Sequence, residues 1–317
     1  MIAAARAAGR PLATIRALAT AAVTLVLVTC ASVARADASG SFALCERKVP
    51  LSAAQQDRLL RFAAVLKDEL DASGGTLAIV SRSGTDLRRF AIRYSHAGIS
   101  LKASRNGAWS VRQLYYACDE QRPRLYDQGP AGFLFGTDDP QTGYVSVLLL
   151  PDEAAAPLAV TALDDARALR LLAGTYSANA YAWATNYQNC NQWLMEMLAS
   201  AWGELPDTPS LRASAQDWLR TQGYAPDGVA VGSRWLMALA PFMPMIHVDD
   251  HPMDDQYAQR FRTSLPADIE RFVRERLPQT QRIELCHDTR RIVVHRGWSS
   301  IAEGCVPGDG DRVIDYD

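Results

Sequence analysis

The chain has no dominant charge. Its 33 lysines and arginines are matched by 35 aspartates and glutamates, a net charge of -2, so nothing supports the basic surface that nucleic-acid binding requires. Beyond the first 36 residues no apolar stretch approaches the ~20 residues that cross a bilayer, so no transmembrane helix is expected in the mature chain. Repeats with a period of about 20 to 50 residues are missing, which excludes solenoids. No low-complexity linker separates one part of the chain from another. What is present is 48% hydrophobic and 21% charged residues in a chain of 317, the balance of a folded protein with a packed core.

The N-terminus stands apart. Arg6, Arg10 and Arg16 lead into an apolar run from Ala17 to Val33, and Ala34-Arg35-Ala36 follows before Asp37. This is the order of a secretory signal peptide with an A-x-A cleavage site, so residues 1–36 are expected to be removed and the mature chain to be periplasmic or secreted. An uncleaved anchor and lipid attachment at Cys30 are the alternatives, and the bulk of Thr29 before that cysteine argues against the second. In an oxidising compartment disulfides persist. The mature chain keeps Cys45, Cys118, Cys190, Cys286 and Cys305, and an odd number leaves at least one thiol free or paired between chains. Cys286 and Cys305 bracket a strand-rich C-terminal segment and are expected to staple it. Cys45 with Cys118 is then the natural second pair, which leaves Cys190 free.

Ser52 and Gln55 form a capping box ahead of Leu59, Phe62, Ala63, Leu66 and Leu70 at helical spacing. Strands are predicted over Thr76 to Val80, Ile92 to Leu101, Trp109 to Ala117 and Tyr144 to Leu150, the middle two joined by a turn containing Asn106-Gly107. From Pro157 onward the pattern is helical: Leu158 to Leu172, Cys190 to Trp202, Pro209 to Thr221, Arg234 to Phe242 and Pro266 to Leu277. The order predicts an α+β domain over residues 37–222. A largely helical extension over 223–317, ending in a β-hairpin, packs on the same domain.

Two residues carry chemistry. In Tyr94-Ser95-His96-Ala97-Gly98-Ile99-Ser100-Leu101, alternation puts His96, Gly98 and Ser100 on one face and the aliphatic residues on the other. Gly98 leaves room for a group to approach the ring. Cys190 follows Asn189, a natural N-cap, in the first turn of an apolar helix, where the dipole and free N–H groups favour thiolate. The plainer readings are a hydrogen-bonded structural histidine and a small buried cysteine. His247-Val248-Asp249-Asp250-His251-Pro252 could suggest a metal, but Pro252 disfavours an aligned i, i+4 pair and no His-Glu-x-x-His is present; no metal or cofactor is expected.

Tyr-Ser-His-Ala-Gly-Ile-Ser-Leu in a strand, followed downstream by Asn-Cys-Asn-Gln-Trp-Leu opening a helix, resembles the circularly permuted branch of the papain-like NlpC-type superfamily, which includes the lecithin retinol acyltransferase group. His96 precedes Cys190, the permuted order. From Cys45 to Cys305 the chain is also similar to the exported bacterial domain-of-unknown-function family 2145, for which no activity follows. The first resemblance implies a third polar residue on the strand after the histidine. Gln113 is the choice there, with Arg112 and Asp119 as rivals and an amide in place of the more usual histidine or acid. It implies a thiol hydrolase or acyltransferase working through an acyl-enzyme on an amide or ester of an envelope peptide or lipid. The alternative is a non-catalytic periplasmic binding or scaffold protein that keeps the fold.

Intact-mass analysis of the exported protein is expected to show Asp37 at its N-terminus without lipid, and non-reducing peptide mapping to join Cys286 to Cys305 and leave Cys190 unbridged. An acylated Cys30 contradicts the first, a bridged Cys190 the second.

Overall fold

A computed structural model describes residues 50–233, 243 and 245–316. The expected leader, Cys45 and the helix expected over Arg234 to Phe242 lie outside the described residues. Ser52 caps α1 (Ala53–Ala72): its hydroxyl accepts from the Gln55 N–H while the Gln55 side chain accepts from the Ser52 N–H, the reciprocal pairing expected from their spacing. After Gly74, at φ 73°, the chain enters β1 (Leu77–Arg82), then β2 (His96–Leu101), β3 (Ser110–Ala117) and β4 (Arg122–Gln128). The short α2 (Pro130–Leu134), β5 (Gly143–Leu149), α3 (Asp152–Leu163) and α4 (Asp165–Arg170) follow, and then α5 (Cys190–Trp202) and α6 (Leu211–Thr221). The C-terminal part holds β6 (Val229–Ala230), α7 (Met253–Ala258), β7 (Arg260–Phe261), α8 (Pro266–Arg276), β8 (Gln281–His287), β9 (Arg291–Arg296) and β10 (Arg312–Asp315).

Eight of these strands form one antiparallel sheet in the order β10-β9-β8-β5-β1-β2-β3-β4. Leu77, Ile79, Ala97, Ile99, Leu101 and Leu148 pack on one face against α3, α5, α6 and α8. Ala78, Val80, Val111, Val147, Ile283 and Leu285 pack on the other against α1 and Phe133 of α2. Because both faces are covered, the central β1 is buried at every position, and its first four residues, Leu77-Ala78-Ile79-Val80, read as an unbroken apolar run rather than an alternating one.

The expected mixture of a large antiparallel sheet with several helices is what the chain forms. Three details differ. No strand was expected at β4, where Arg122-Pro123-Arg124 reads as loop; it is the sheet's edge, the place where a proline's missing N–H costs least. The helix expected over Leu158 to Leu172 begins at Asp152, holds Pro157 within it and breaks at Asp164, whose carboxylate caps α4 through the Arg167 N–H. The sheet also runs across the boundary expected at residue 223, since β8 pairs with β5 along its whole length. The Cys286–Cys305 bridge is present as expected. Cys118 is disulfide-bonded, and Cys190 is the free cysteine among the described residues.

A buried carboxylate fixes the approach to α5. Glu196, fully enclosed one and a half turns below Cys190, takes Arg212 of α6 on both oxygens (2.7 and 3.1 Å). Gln188 and Gln216 add hydrogen bonds of 2.6 and 2.8 Å. Arg212 also donates to the carbonyls of Thr185 and Tyr187, and Gln188 to that of Leu171. One ion pair thus satisfies the backbone of the loop that delivers Cys190. Removing one partner of such a pair costs ~3–5 kcal/mol because the other charge stays buried and unpaired. Arg212→Met is therefore expected to lower stability by about that amount in urea denaturation, with Glu196→Met added to it recovering much of the loss; an Arg212→Met protein of unchanged stability contradicts this assignment.

Candidate active site

The start of α5 is tied down from three sides. The Asn189 side chain caps the helix, accepting from the Gln192 N–H at 2.8 Å, while its amide donates to Thr263 at 2.8 Å. Asn191 donates to the carbonyls of Ser264 (3.1 Å) and Ser95 (3.4 Å), joining the helix to the residue that precedes His96. Cys190 is 4% exposed. Backbone N–H groups of Ala97, Asn191 and Cys190 itself are directed at its sulfur. The register between β2 and β3 runs from Leu101–Ser110 to Ile99–Arg112, so Ala97 lies past the end of that ladder and its N–H serves the thiol.

His96 opens β2 and turns its ring to the opposite side, beside Phe133 at 5.9 Å between ring centroids. Its Nε2 is hydrogen-bonded to Gln113 Oε1. Gln113, 1% exposed, donates its own amide to Gln128 on β4 at 2.8 Å, which aims its oxygen at the histidine. An acceptor at Nε2 places the ring proton there and makes Nδ1 the basic nitrogen. Gly98 is what lets the strands come this close: a Cβ there would stand 2.6 Å from Val111 Cγ1 and 3.2 Å from Gln113 Cβ. The structure brings His96 and Gln113 together. It joins Cys190 to the backbone of Ala97, the next residue after His96; among the described residues no hydrogen bond links the thiol to the imidazole.

Burial governs the electrostatics. The helix-start position predicts a more acidic thiol, yet desolvation outweighs the three N–H groups and the positive Arg82, and the Cys190 thiol is pushed up to about 11. His96 is pushed down to about 3, by burial first and then by Arg82, against the Gln113 hydrogen bond. Arg82 is the residue sequence reasoning missed. It is 4% exposed, stacks over Phe133 at 5.2 Å, donates to the Gly136 carbonyl, and its charge reaches both His96 and Cys190. Tyr176, raised by burial and then by Cys190, is a second unforeseen neighbour. Neither has a local signal, since each is an ordinary residue at the end of a strand or in a loop. Gln128 was hidden because β4 was not expected.

The remaining candidates have other roles. Arg112 pairs bidentately with Asp127 and donates to the Ala162 carbonyl. In the acidic loop, His247 stacks on Tyr187, Asp249 accepts from the Tyr187 hydroxyl, Asp250 accepts from the Tyr181 N–H, and the His251 ring meets the Asn179 carbonyl. These groups fasten that loop to the segment before α5.

Fold and site together describe a mixed α/β protein with a covered antiparallel sheet, a free thiol at a helix start and an oriented histidine on the adjoining strand. The chain belongs to the DUF2145 family, described as an uncharacterized protein conserved in bacteria, whose model matches residues 69–273 and so includes His96, Gln113 and Cys190. No curated protein and no solved structure matches it.

The shifts set a pH profile. His96, lowered to about 3, and His287, lowered to about 4 by burial, stay neutral in the native chain where the unfolded chain takes up protons. The unfolded state then binds more protons, and stability falls as pH drops below about 6.5, by roughly 1.4 kcal/mol per unit for each group. Cys190 holds its proton to about 11 while an unfolded thiol releases it near 9, so stability also falls above that value. Urea midpoints across this range are expected to show both limbs, with His96→Gln making the acid limb shallower and Cys190→Ser the alkaline one, to which the tyrosines raised by burial also contribute. An acid limb that His96→Gln leaves unchanged contradicts a buried neutral imidazole.

Proposed function

We propose that this is an exported thiol-dependent hydrolase or acyltransferase of the circularly permuted papain-like type, acting on an amide or ester of a cell-wall peptide or lipid. The observation that carries the reading is the oriented imidazole. Gln113 holds His96 Nε2, and the free thiol rests on the N–H of the next residue along the strand. Oriented base, free thiol and helix start are the parts that nucleophilic thiol catalysis needs. Catalysis in this reading requires the imidazole and the thiol, which no hydrogen bond joins at rest, to come together: His96 Nδ1 then takes the Cys190 proton as the sulfur attacks the carbonyl carbon, and the N–H groups at the start of α5 hold the oxygen that gains the electron pair. Collapse expels the amine or alcohol, which receives the proton from His96. Water or an acceptor alcohol or amine then attacks the thioester and restores the thiol.

The raised thiol and lowered imidazole assign a neutral resting pair, so proton transfer accompanies attack rather than preceding it. The same burial favours a second reading, a non-catalytic envelope protein in which Cys190 is a core residue.

Activated thioesters and N-acyl peptides separate the two. Incubation at pH 7.5 is expected to leave an acyl adduct on Cys190 by peptide mapping. Turnover is lost in Cys190→Ala, falls at least about 100-fold in His96→Ala and about 10-fold in Gln113→Ala. A Cys190 that is acylated or alkylated only in denaturant assigns the protein to the second reading.

A further inference from the structure

At the other end of the sheet a second set of groups is arranged for acyl transfer. Ser299 Oγ lies 2.7 Å from His295 Nε2, and His295 Nδ1 lies 2.6 Å from Asp311 Oδ1. The Asp311 carboxylate is 4% exposed and its second oxygen accepts the Gly308 N–H at 2.8 Å. A carboxylate can only accept, so Nδ1 carries the ring proton and Nε2 is the base facing the serine hydroxyl. This is the order of roles in a serine–histidine–aspartate relay, which is recognised by geometry and not by position in the chain.

The loop that carries the serine is held rigidly. Gly297, at φ 128°, turns the chain back so that Ser299 meets a histidine four residues before it. Arg282, whose side chain is 2% exposed, donates to the carbonyls of Gly297 (3.3 Å) and Ser299 (3.0 Å). Glu284, fully buried, accepts the Ile301 N–H at 2.7 Å, and Arg93 donates to the Ile301 carbonyl at 2.8 Å. The Cys286–Cys305 bridge closes the far side. Buried charges thus grip the backbone while the Ser299 side chain faces solvent. The backbone N–H groups of Ser299 and Ser300 meet no acceptor among the described residues.

We infer that Ser299, His295 and Asp311 form a second catalytic site, a surface serine esterase for unhindered carboxylic esters. Ser299 Oγ bonds to the ester carbon as its proton moves to His295 Nε2. The alkoxy group leaves with that proton, and water, deprotonated by His295, hydrolyses the acyl-serine. β9 lies four strands from β2, roughly 19 Å across the sheet, and Ser299 falls outside the family-matched residues 69–273, so this site is independent of Cys190.

The oxidised full-length mature protein is treated at pH 8 with a fluorophosphonate probe and, separately, with p-nitrophenyl acetate. One phosphonyl adduct, mapped to Ser299, is expected, and Cys190→Ala is expected to label as fast as wild type. Ser299→Ala should abolish the adduct, His295→Gln slow it at least 100-fold, and Asp311→Asn slow it at least 10-fold at unchanged melting temperature. Ester hydrolysis that survives Cys190→Ala should disappear on adding Ser299→Ala. The site of the wild-type adduct decides the matter even where a variant fails to fold. No adduct on Ser299, or labelling as fast in His295→Gln as in wild type, overturns the inference and leaves the Cys190 reading untouched.

Discussion

The buried Glu196–Arg212 pair is the interaction on which the rest of the molecule turns. The segment from residue 171 to 189 crosses the protein without forming a regular element, so its backbone groups have no ladder or helix to satisfy them. A carboxylate fully removed from water can exist there only with its charge matched and its lone pairs filled. Arg212, Gln188 and Gln216 do this, and the same side chains pick up the loop's carbonyls as they converge. Loop, α5 and α6 are consequently one unit, and the first residue of α5 is placed against β2 by a network that lies deeper than the site itself.

That placement puts two opposed tendencies on Cys190. The helix start and the Ala97 N–H stabilise negative charge on sulfur, while enclosure among apolar side chains penalises it. Enclosure wins, and the same is true for His96, whose neighbouring charge is the cation Arg82 rather than a carboxylate. An amide as the orienting group fits this balance. Gln113 can set the tautomer of the ring without supplying the negative charge that would stabilise an imidazolium, so thiol and imidazole both rest neutral.

The two ends of the sheet use polar burial differently. At β2 and β3 the buried groups are amides and an arginine lying beside His96 and Cys190. At β8 and β9 the buried groups are Arg282 and Glu284, which with the half-buried Arg93 are directed at the backbone of the loop after β9, and the pair His295–Asp311 stands nearer the surface. Tyr94 joins the second network through Glu284, so the strand that carries His96 is preceded by a residue anchored at the opposite end of the sheet.

Much of this was legible in the chain. The capping box at Ser52, the helix beginning at Cys190, the alternation that separates His96 from Ala97 and the pairing of Cys286 with Cys305 all depend on residues close in sequence or on a simple period, and each appears in the structure. His96 beside Gln113 was foreseeable because a hairpin brings adjacent strands into register. Tertiary structure alone decided the rest. The β5–β8 pairing joins residues more than a hundred apart, Arg82 reaches His96 and Cys190 only once three elements have packed, and Ser299, His295 and Asp311 meet only because a glycine turn and a disulfide fold their loop back. The sign of the Cys190 shift belongs to the same class. Local position sets which groups surround a thiol along the chain, but burial depends on everything that packs over it, and burial is the larger effect.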